Sequence, residues 1–330
     1  MRIQVIVNPR AKLARDEKAL SIMKELLGAH LAGVTITSSG EQALDIALQA
    51  RMNQIDTLVI VGGDGTLNAV LKGLVETPLA LAIIPNGTAN DLASFYSLPG
   101  DVATACDVIL ERRLRPVDVI AVNGRFYATG GGLGLPCRIA ERANSLRRHK
   151  IFGMWLHRIF GSRFYVFTGL WTILRGGPVH NRLRIRCNGR TLVADVLALM
   201  INNQPSVGKY FRLAPHATGD DGRFDICLIE SHRTRTRIVA TFFKVLSGGH
   251  TDATFVKSWS ADEIHIDAEE PLGFFADGEV LFRASTFTIT LVPAALNIIV
   301  PSSARAITAI SRRNLQARHS DSEDNPLWAA

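Results

Sequence analysis

A glycine-rich turn between a buried strand and a helix constrains this chain more than any other feature. The turn is Gly62-Gly63-Asp64-Gly65-Thr66, and it directly follows the apolar run at residues 57–61. Glycines let a backbone approach its ligand closely, and the first N–H groups of a helix attract anions. The turn therefore predicts a phosphate-binding loop, with an ordinary tight turn as the alternative.

The same turn carries a carboxylate and lacks the lysine of a Walker A loop. Asp64 lies in the middle of the glycines. A carboxylate can lie beside an anionic phosphate when a divalent cation sits between them. The sequence therefore favours a phosphate site that uses a divalent cation.

Apolar runs and helical segments alternate through residues 1–122, which we predict to form one domain. The predicted strands are residues 3–7, 34–37, 57–61 and 79–84, and the predicted helices are residues 15–29, 41–52 and 67–75. This alternation indicates a doubly wound α/β fold, in which helices cover both faces of a parallel sheet. Ligands of such sheets bind outside the carboxyl ends of the strands. Asn8 and the loops at residues 62–66 and 86–90 follow strands, so we expect them on one rim.

The pattern changes after about residue 115. Asn123-Gly124 and Asn188-Gly189 separate strand-like runs, and Asn-Gly is typical of a type I′ hairpin turn. Further strands are predicted at residues 224–230, 263–267, 272–276, 280–283 and 287–292, with helices near residues 136–148 and 164–174. We therefore predict an antiparallel β domain over residues 123–303, followed by a polar, disordered tail at residues 304–330.

Three further loops carry polar residues suited to chemistry, and each has a structural alternative. Residues 86–91 could line a nucleotide pocket or simply begin a helix. Residues 220–225 could bind a hard cation or form a solvated turn. Asp277-Gly278-Glu279 is typical of a hairpin turn, although Glu279 could also accept a proton from a hydroxyl.

Charge and composition favour a globular protein with an anionic partner. The chain is 47% hydrophobic and 20% charged, and its formal net charge is +7. Residues 138–190 contain twelve Arg or Lys but one acid, Glu141. Aromatic residues interleave with these cations, which suits an anionic bilayer surface. Burial of the aromatics in core helices and binding of RNA are the alternatives.

The sequence also predicts a cytoplasmic location. The first nine residues begin as a strand and do not resemble a signal peptide, and no apolar run is long enough for a transmembrane helix. The four cysteines form no C-x-x-C pair, so nothing demands an oxidising compartment.

Taken together, these motifs resemble the diacylglycerol kinase catalytic-domain family, specifically its soluble bacterial lipid kinases. The motifs that carry the resemblance are, in chain order, Asn8-Pro9, Gly62-Gly63-Asp64-Gly65-Thr66, Asn86-Gly87-Thr88-Ala89-Asn90-Asp91, Asp221-Gly222-Arg223-Phe224-Asp225 and Asp277-Gly278-Glu279. The first glycine loop is shared with NAD kinases and, loosely, with phosphofructokinases. The second and last motifs narrow the resemblance to lipid kinases.

The resemblance implies an ATP-binding α/β domain, a C-terminal β-sandwich domain with helical insertions, and transfer of phosphate from ATP and Mg²⁺ to a lipid hydroxyl. The nucleotide residues that it implies are Asn8, Thr37, Gly62, Gly63, Asp64, Gly65, Thr66, Leu67, Asn68 and Thr88. The implied magnesium loop comprises Thr218, Asp221 and Arg223, with Thr218 and Arg223 contributing backbone carbonyls. The catalytic base falls on Glu279 or Asp277, and Asp64 orients a catalytic Mg²⁺.

The implied partners are a lipid substrate and an anionic membrane surface, and no nucleic acid is expected. The basic and aromatic residues 138–171 would contact the inner face of that membrane peripherally. Two other functions stay open. One is a kinase of a soluble nucleotide such as NAD, and the other is a lipid- or nucleic-acid-binding protein without catalysis.

Overall fold

The computed structural model describes residues 1–148, 164–176, 180–208, 211–232, 234–250 and 253–302. These residues divide into two units. The first contains Met1–Val119 and the segment that begins at Val292, and the second contains Ile120–Leu291. The predicted tail at residues 304–330 and the central part of the basic segment, residues 149–163, lie outside the described residues.

The first unit alternates strands and helices, as predicted. Its elements are β1 (Ile3–Val7), α1 (Glu17–Leu27), β2 (Leu31–Ile36), α2 (Gly40–Gln49), β3 (Thr57–Gly62), α3 (Asp64–Leu74), β4 (Ala80–Pro85), α4 (Asp91–Phe95) and α5 (Val102–Glu111). Two short 3₁₀ helices at Lys12–Arg15 and Gly28–His30 flank α1. The strands run in the order β4-β3-β1-β2, and every neighbouring pair is parallel. The predicted α/β character of this part is confirmed.

Helices bury both faces of this parallel sheet. Met23 of α1 and Cys106 of α5 belong to the same apolar cluster as Val59 of β3. The next residue, Ile60, points to the opposite face because strand side chains alternate, and it is equally inaccessible. On that side α3 packs against β3 and against α2. The sheet strands therefore consist of nearly continuous apolar residues, as buried parallel strands do.

The second unit contains mainly antiparallel strands, the first of which, β5, begins within the last residues of the first unit. Its elements are β5 (Leu114–Val122), β6 (Arg125–Tyr127), β7 (Gly130–Gly134), α6 (Leu135–Arg148), α7 (Phe164–Arg175), β8 (Asn181–Cys187), β9 (Arg190–Asn202), β10 (Phe224–Glu230), α8 (Arg235–Ser247), β11 (Val256–Ala261), β12 (Glu263–Ala276) and β13 (Glu279–Ile299). Neighbours pair in the order β11-β10-β9-β7-β12-β13, while β8 bridges β9 and β12. All of these neighbouring strand pairs are antiparallel, as predicted.

Three predicted turns have the backbone conformation that their sequences demand. Both residues of Asn123-Gly124, Asn188-Gly189 and Asp277-Gly278 have left-handed φ angles, between 46° and 83°. Type I′ hairpins require positive φ at both central positions, which Asn, Asp and Gly tolerate best. Each turn joins two antiparallel strands, so these hairpin predictions are confirmed.

Three elements of the second unit, β7, α8 and β11, were not predicted. Four of the five residues of β7 are glycines, which favour strands weakly. The strand forms because its neighbours leave no room for side chains: a Cβ on Gly132 would lie 2.1 Å from the carbonyl oxygen of Leu199. The helix α8 is rich in β-branched and aromatic residues and forms by burying Ile238 and Phe242.

The long strand β13 carries the chain back into the first unit. Asn297 and Ile298 pair in parallel with Ala80 and Leu81 of β4. The predicted strand stopped at residue 292, so this return was not anticipated. No helix in the described part of the chain is both long and apolar enough to cross a membrane.

A buried hydrogen bond holds the returning segment. Asp118, 3% exposed, accepts a 2.8 Å hydrogen bond from the N–H of Ala294, whose φ of 49° is left-handed. Replacement of Asp118 by Val should lower the free energy of unfolding by about 1–3 kcal/mol, because the Ala294 N–H loses its acceptor. Urea unfolding measures the change.

Asp118→Asn is the matched control, because its amide oxygen can still accept this hydrogen bond. It should lose much less stability than Asp118→Val. Equal losses in the two variants would show that this hydrogen bond does not stabilise the return of β13.

Candidate functional site

Polar residues of the first unit follow the carboxyl ends of four neighbouring parallel strands. Asn8 follows β1, Thr37 follows β2, Gly63 follows β3 and Asn86 follows β4. The Thr37 N–H donates to the Val7 carbonyl, which ends β1, at 3.0 Å. The predicted loops therefore lie along one rim of the sheet.

The two glycine-containing loops of this rim touch through their backbones. A Cβ on Gly63 would lie 2.9 Å from the Gly87 Cα, and a Cβ on Gly87 would lie 2.6 Å from the Gly63 Cα. The Asn86 N–H donates to the Gly62 carbonyl at 2.8 Å. No side chain fits between the loops, so both glycines are required for this contact.

The second loop is closed by Asn90, which the sequence offers as a candidate N-cap and which directly precedes α4. Its Oδ1 accepts from the Gly87 N–H at 2.9 Å, and its Nδ2 donates to the Gly87 carbonyl at 3.0 Å. Asn90 itself has a left-handed φ of 52°. Asparagine tolerates that conformation and can bond to nearby backbone, which explains its presence here.

Asp64 joins the two loops from the other side. It is the first residue of α3, and its Oδ1 accepts a 2.8 Å hydrogen bond from the N–H of Asp91, the first residue of α4. A carboxylate offers about four lone-pair positions. Asp64 therefore fixes the second loop through a carboxylate, the type of group that also binds hard cations.

The predicted nucleotide residues differ in their accessibility. Thr37, Thr66 and Leu67 are buried, and Thr66 Oγ1 accepts a 2.8 Å hydrogen bond from Asn8 Nδ2. Gly65 and Thr88 are exposed. The buried members support the loops from within, whereas the exposed members can contact a ligand.

In the second unit, the two predicted carboxylates point in different directions. Asp277 is buried and accepts hydrogen bonds from the Thr129 hydroxyl at 2.5 Å and from the Thr129 N–H at 3.1 Å. Its own N–H donates to the Gly130 carbonyl at 3.1 Å. Glu279, two residues later, is exposed at the start of β13. Of these two acids, Glu279 is therefore the one that is accessible from solvent.

A buried polar network surrounds the Asp277 carboxylate. The Asn203 N–H donates to the Thr129 carbonyl at 2.7 Å, and Asn203 Nδ2 donates to the Ala128 carbonyl at 3.3 Å. Burial raises the pKa of Tyr127 well above its usual value, and the nearby Asp277 carboxylate raises it further. Tyr127 therefore stays a neutral donor, and its hydroxyl bonds to the Ile201 carbonyl at 3.3 Å.

Sequence analysis missed Thr129 and Asn203. A signal was present, because Asn202-Asn203-Gln204 places three carboxamides at the end of the long strand β9. The hydrogen-bond partners of Asn203, which are the carbonyls of Thr129 and Ala128, lie 74 and 75 residues away along the chain. One sequence alone does not identify such pairs.

The predicted magnesium residues form a turn in the second unit. Asp221 Oδ1 accepts from the Arg223 N–H at 3.1 Å, and the glycines at 219 and 222 have left-handed φ angles of 75° and 76°. The Thr218 hydroxyl is buried and has no hydrogen-bond partner among the described residues. Hydroxyl and carboxylate oxygens are ligands of the kind that a hard cation binds.

Metal-binding side chains are sparse in the described part of the chain. It holds no cluster of three or more His, Cys, Asp or Glu side chains that could bind a metal ion. A cation at Thr218, Asp221 and Arg223 would therefore depend on backbone carbonyls, as the sequence comparison also implied.

The cysteines do not supply reactive thiolates. All four are buried and unpaired by disulfides. Burial raises the pKa of Cys137 and of Cys227 to about 12. Because the thiolate is the nucleophile, these residues are inert at neutral pH.

Two protein-family models match the chain in succession. Residues 2–122 match the diacylglycerol kinase catalytic domain. Residues 133–300 match the YegS C-terminal NAD kinase beta sandwich-like domain. The two matches fall on the α/β part and on the β-rich part of the chain.

Similar proteins of known sequence extend over most of the chain. A protein of Chromohalobacter salexigens named "Probable lipid kinase YegS-like" is 31% identical over 297 residues, which cover 88% of this chain and 90% of the relative. A Bacillus subtilis protein named diacylglycerol kinase is 25% identical over 284 residues, covering 84% of this chain and 89% of that protein.

Solved structures share the fold. A diacylglycerol kinase from Bacillus anthracis aligns with a TM-score of 0.71 and 23% identity, covering 92% of this chain and 98% of that structure. An NAD kinase from Archaeoglobus fulgidus in complex with ATP aligns with a TM-score of 0.53 and 12% identity, covering 94% of this chain and 98% of that structure. At these identities the likeness concerns the fold alone.

The buried bond between Thr129 and Asp277 generates a test of the second-unit network. Replacement of Thr129 by Val keeps its shape but removes the hydroxyl donor from a buried carboxylate. The free energy of unfolding, measured with urea, should fall by about 1–3 kcal/mol. Thr129→Ser retains the donor and should lose clearly less; an equal loss in both variants would contradict the importance of this hydrogen bond.

Proposed function

This chain belongs to the diacylglycerol kinase catalytic-domain family, in the group with a YegS-type C-terminal domain, and on that premise we propose that it is an ATP- and Mg²⁺-dependent lipid kinase. The observation that carries the proposal is that two acidic residues, Asp64 and Glu279, lie in different surroundings that suit different chemical roles. Asp64 lies in paired glycine loops suited to phosphates. Glu279 is exposed beside the fixed Asp277 and is suited to accept a proton.

The first unit would hold the nucleotide. Gly65 is exposed at the first turn of α3, where backbone N–H groups and the helix dipole favour a phosphate. Thr88 is exposed on the neighbouring loop and offers a hydroxyl. Because Gly63 and Gly87 carry no Cβ, the polyphosphate can lie close to both backbones.

Two sets of oxygen ligands suit magnesium in this proposal. Asp64 would hold the catalytic ion, and Asp221 with the carbonyls of Thr218 and Arg223 would hold a structural ion. Magnesium supplies neutralisation of the charge on the transferred phosphoryl group. The hydrogen bond from the Arg223 N–H to Asp221 Oδ1 supports the second assignment, because it holds these two residues in one turn.

The second unit would activate the acceptor. Glu279 takes the proton of a lipid hydroxyl as that oxygen forms a bond to the γ-phosphorus of ATP. The bond from the γ-phosphorus to the β–γ bridging oxygen breaks, and ADP leaves. Asp277 positions the turn, because its carboxylate is already bonded to Thr129.

The acceptor in this proposal is the hydroxyl of a lipid such as diacylglycerol, phosphatidylglycerol or a sphingoid lipid. The names of the relatives support a lipid over a nucleotide. The chain would work in the cytoplasm at an anionic membrane surface and would need no nucleic acid. Its formal charge of +7 suits that surface.

Kinases of soluble nucleotides are the main alternative, because an NAD kinase shares the fold. Both activities would use the same phosphate loops. They differ in the acceptor, so the acceptor must be identified by experiment.

Replacement of Glu279 by Gln tests the proposed base. The rate constant kcat for lipid phosphorylation should fall about 10²–10⁴-fold because the amide cannot accept the proton. The KM for ATP should stay unchanged. Phosphorylated lipid is measured by thin-layer chromatography with labelled ATP.

Glu270→Gln is the matched control, since Glu270 is also an exposed acid of the second unit. It should leave kcat unchanged. Full activity in Glu279→Gln would rule out Glu279 as the base and move attention to Asp277.

Replacement of Asp64 by Asn separates its two roles. The amide oxygen can still accept the hydrogen bond from the Asp91 N–H, so the free energy of unfolding should fall by no more than about 1 kcal/mol, the contribution of a negative charge at a helix N-terminus. Magnesium-dependent phosphorylation should nevertheless fall at least tenfold, because the negative charge is lost. Urea unfolding and a magnesium titration of the kinase rate measure the two effects.

Asp64→Ala should lose both stability and activity. Wild-type activity in Asp64→Asn, at every magnesium concentration, would contradict the assignment of Asp64 to the metal.

A further inference from the structure

The helix α7 carries an apolar stripe on its outer surface. Phe167, Trp171 and Leu174 are 37%, 36% and 53% exposed, respectively. Their spacing of i, i+4 and i+7 places them on one face of the helix. The opposite face packs inward through Gly169 and Ile173, which are buried, and a Cβ on Gly169 would lie 2.7 Å from the Phe242 ring. The exposed stripe is therefore not the face that attaches α7 to its unit.

Cations border this stripe. The guanidinium of Arg175 lies 4.2 Å from the centroid of the Trp171 ring. Arg235, at the start of α8, donates to the carbonyls of Leu174 and Gly176 at 3.4 Å and 3.1 Å. These contacts place two positive charges at the C-terminal end of α7.

The two helices α7 and α8 together contain four cations and no acid. The cations are Arg175, Arg235, Arg237 and Lys244. Since the whole chain has a formal net charge of +7, these 25 helical residues carry a large share of it. A partner of this surface must therefore be both apolar and negatively charged.

We propose that the α7 stripe inserts into the interface of an anionic phospholipid bilayer. Phe167, Trp171 and Leu174 enter the region where head groups meet acyl chains. Arg175 and Arg235 remain at the level of the lipid phosphates. Aromatic residues with a polar atom favour this boundary, and arginine can bury its stem while its charge stays hydrated.

Charge complementarity selects the bilayer as the partner. An acidic lipid surface attracts the cations, and each cation near such a surface adds to the attraction. The proposal deepens the proposed function, and it rests on that function for the choice of lipid as the partner. The sequence predicted membrane contact by the basic and aromatic residues 138–171. The proposal assigns that contact to α7 and includes cations of α8, which the sequence prediction did not.

Other exposed apolar residues lack this setting and provide a control. Leu48 and Met52 are 49% and 78% exposed in the first unit. The charged residues of α2, on which Leu48 lies, are Glu41 and Asp45. With the exposed Arg51 beside Met52, this surface carries two acids and one cation, so an anionic bilayer would be attracted to it less than to α7.

Vesicle co-sedimentation tests the stripe. The triple variant Phe167→Ser, Trp171→Ser, Leu174→Ser should require at least tenfold more lipid for half-maximal binding to equimolar phosphatidylcholine and phosphatidylglycerol. The control variant Leu48→Ser, Met52→Ser should bind like the wild type. Equal binding by the triple variant and the wild type would overturn the proposal.

A fluorescence measurement keeps the test independent of the stability of the triple variant. Vesicles with brominated acyl chains should quench the emission of wild-type protein more strongly than that of Trp171→Phe. The remaining tryptophans are common to both proteins, so the difference reports on Trp171. The same fractional quenching in both proteins would overturn insertion of α7.

A comparison of acceptors separates this proposal from the kinase assignment. With a short-chain diacylglycerol dispersed as monomers, the triple variant should phosphorylate at the wild-type rate, whereas on vesicles its rate should fall at least tenfold. If the wild-type protein binds vesicles through α7 but phosphorylates no lipid, the proposed kinase activity is wrong and the proposed membrane contact still stands. If the triple variant and Trp171→Phe both bind vesicles as the wild type does, the proposed membrane surface is wrong, while the kinase assignment is unaffected.

Discussion

The backbone contact between Gly63 and Gly87 is the constraint on which the candidate phosphate site depends. Each glycine occupies space that a Cβ on the other would need. The contact brings the loops after β3 and β4 together, and the bond from the Asp91 N–H to Asp64 fixes the same pair of loops. Glycine is therefore required twice here, for packing between loops and for the approach of a phosphate.

In the second unit, the corresponding constraint is the fixed position of Asp277. Thr129 binds its carboxylate, and Asn203 binds the backbone around Thr129. Buried polar groups of this kind are stabilising when their partners are present and costly when they are missing. This network sets the turn that presents Glu279. An acid with a structural role and an acid available for chemistry can therefore lie two residues apart.

Much of the fold could be predicted because local patterns agree with it. Alternating strands and helices predicted the parallel sheet, and Asn-Gly turns predicted the hairpins. The strand β7 could not be predicted, since its glycines pair only because of distant neighbours such as Leu199. The return of β13 to β4 and the role of Thr129 also depend on residues far apart in the sequence.

The central claim is that this chain transfers phosphate from ATP to a lipid. The most direct test is incubation of the full chain with Mg²⁺, γ-labelled ATP, a panel of lipids in mixed micelles and, in a parallel reaction, NAD. We expect label in a chloroform-extractable lipid and none in NAD. Label in the soluble dinucleotide, with none in any lipid, would contradict the lipid-kinase account and favour a nucleotide kinase.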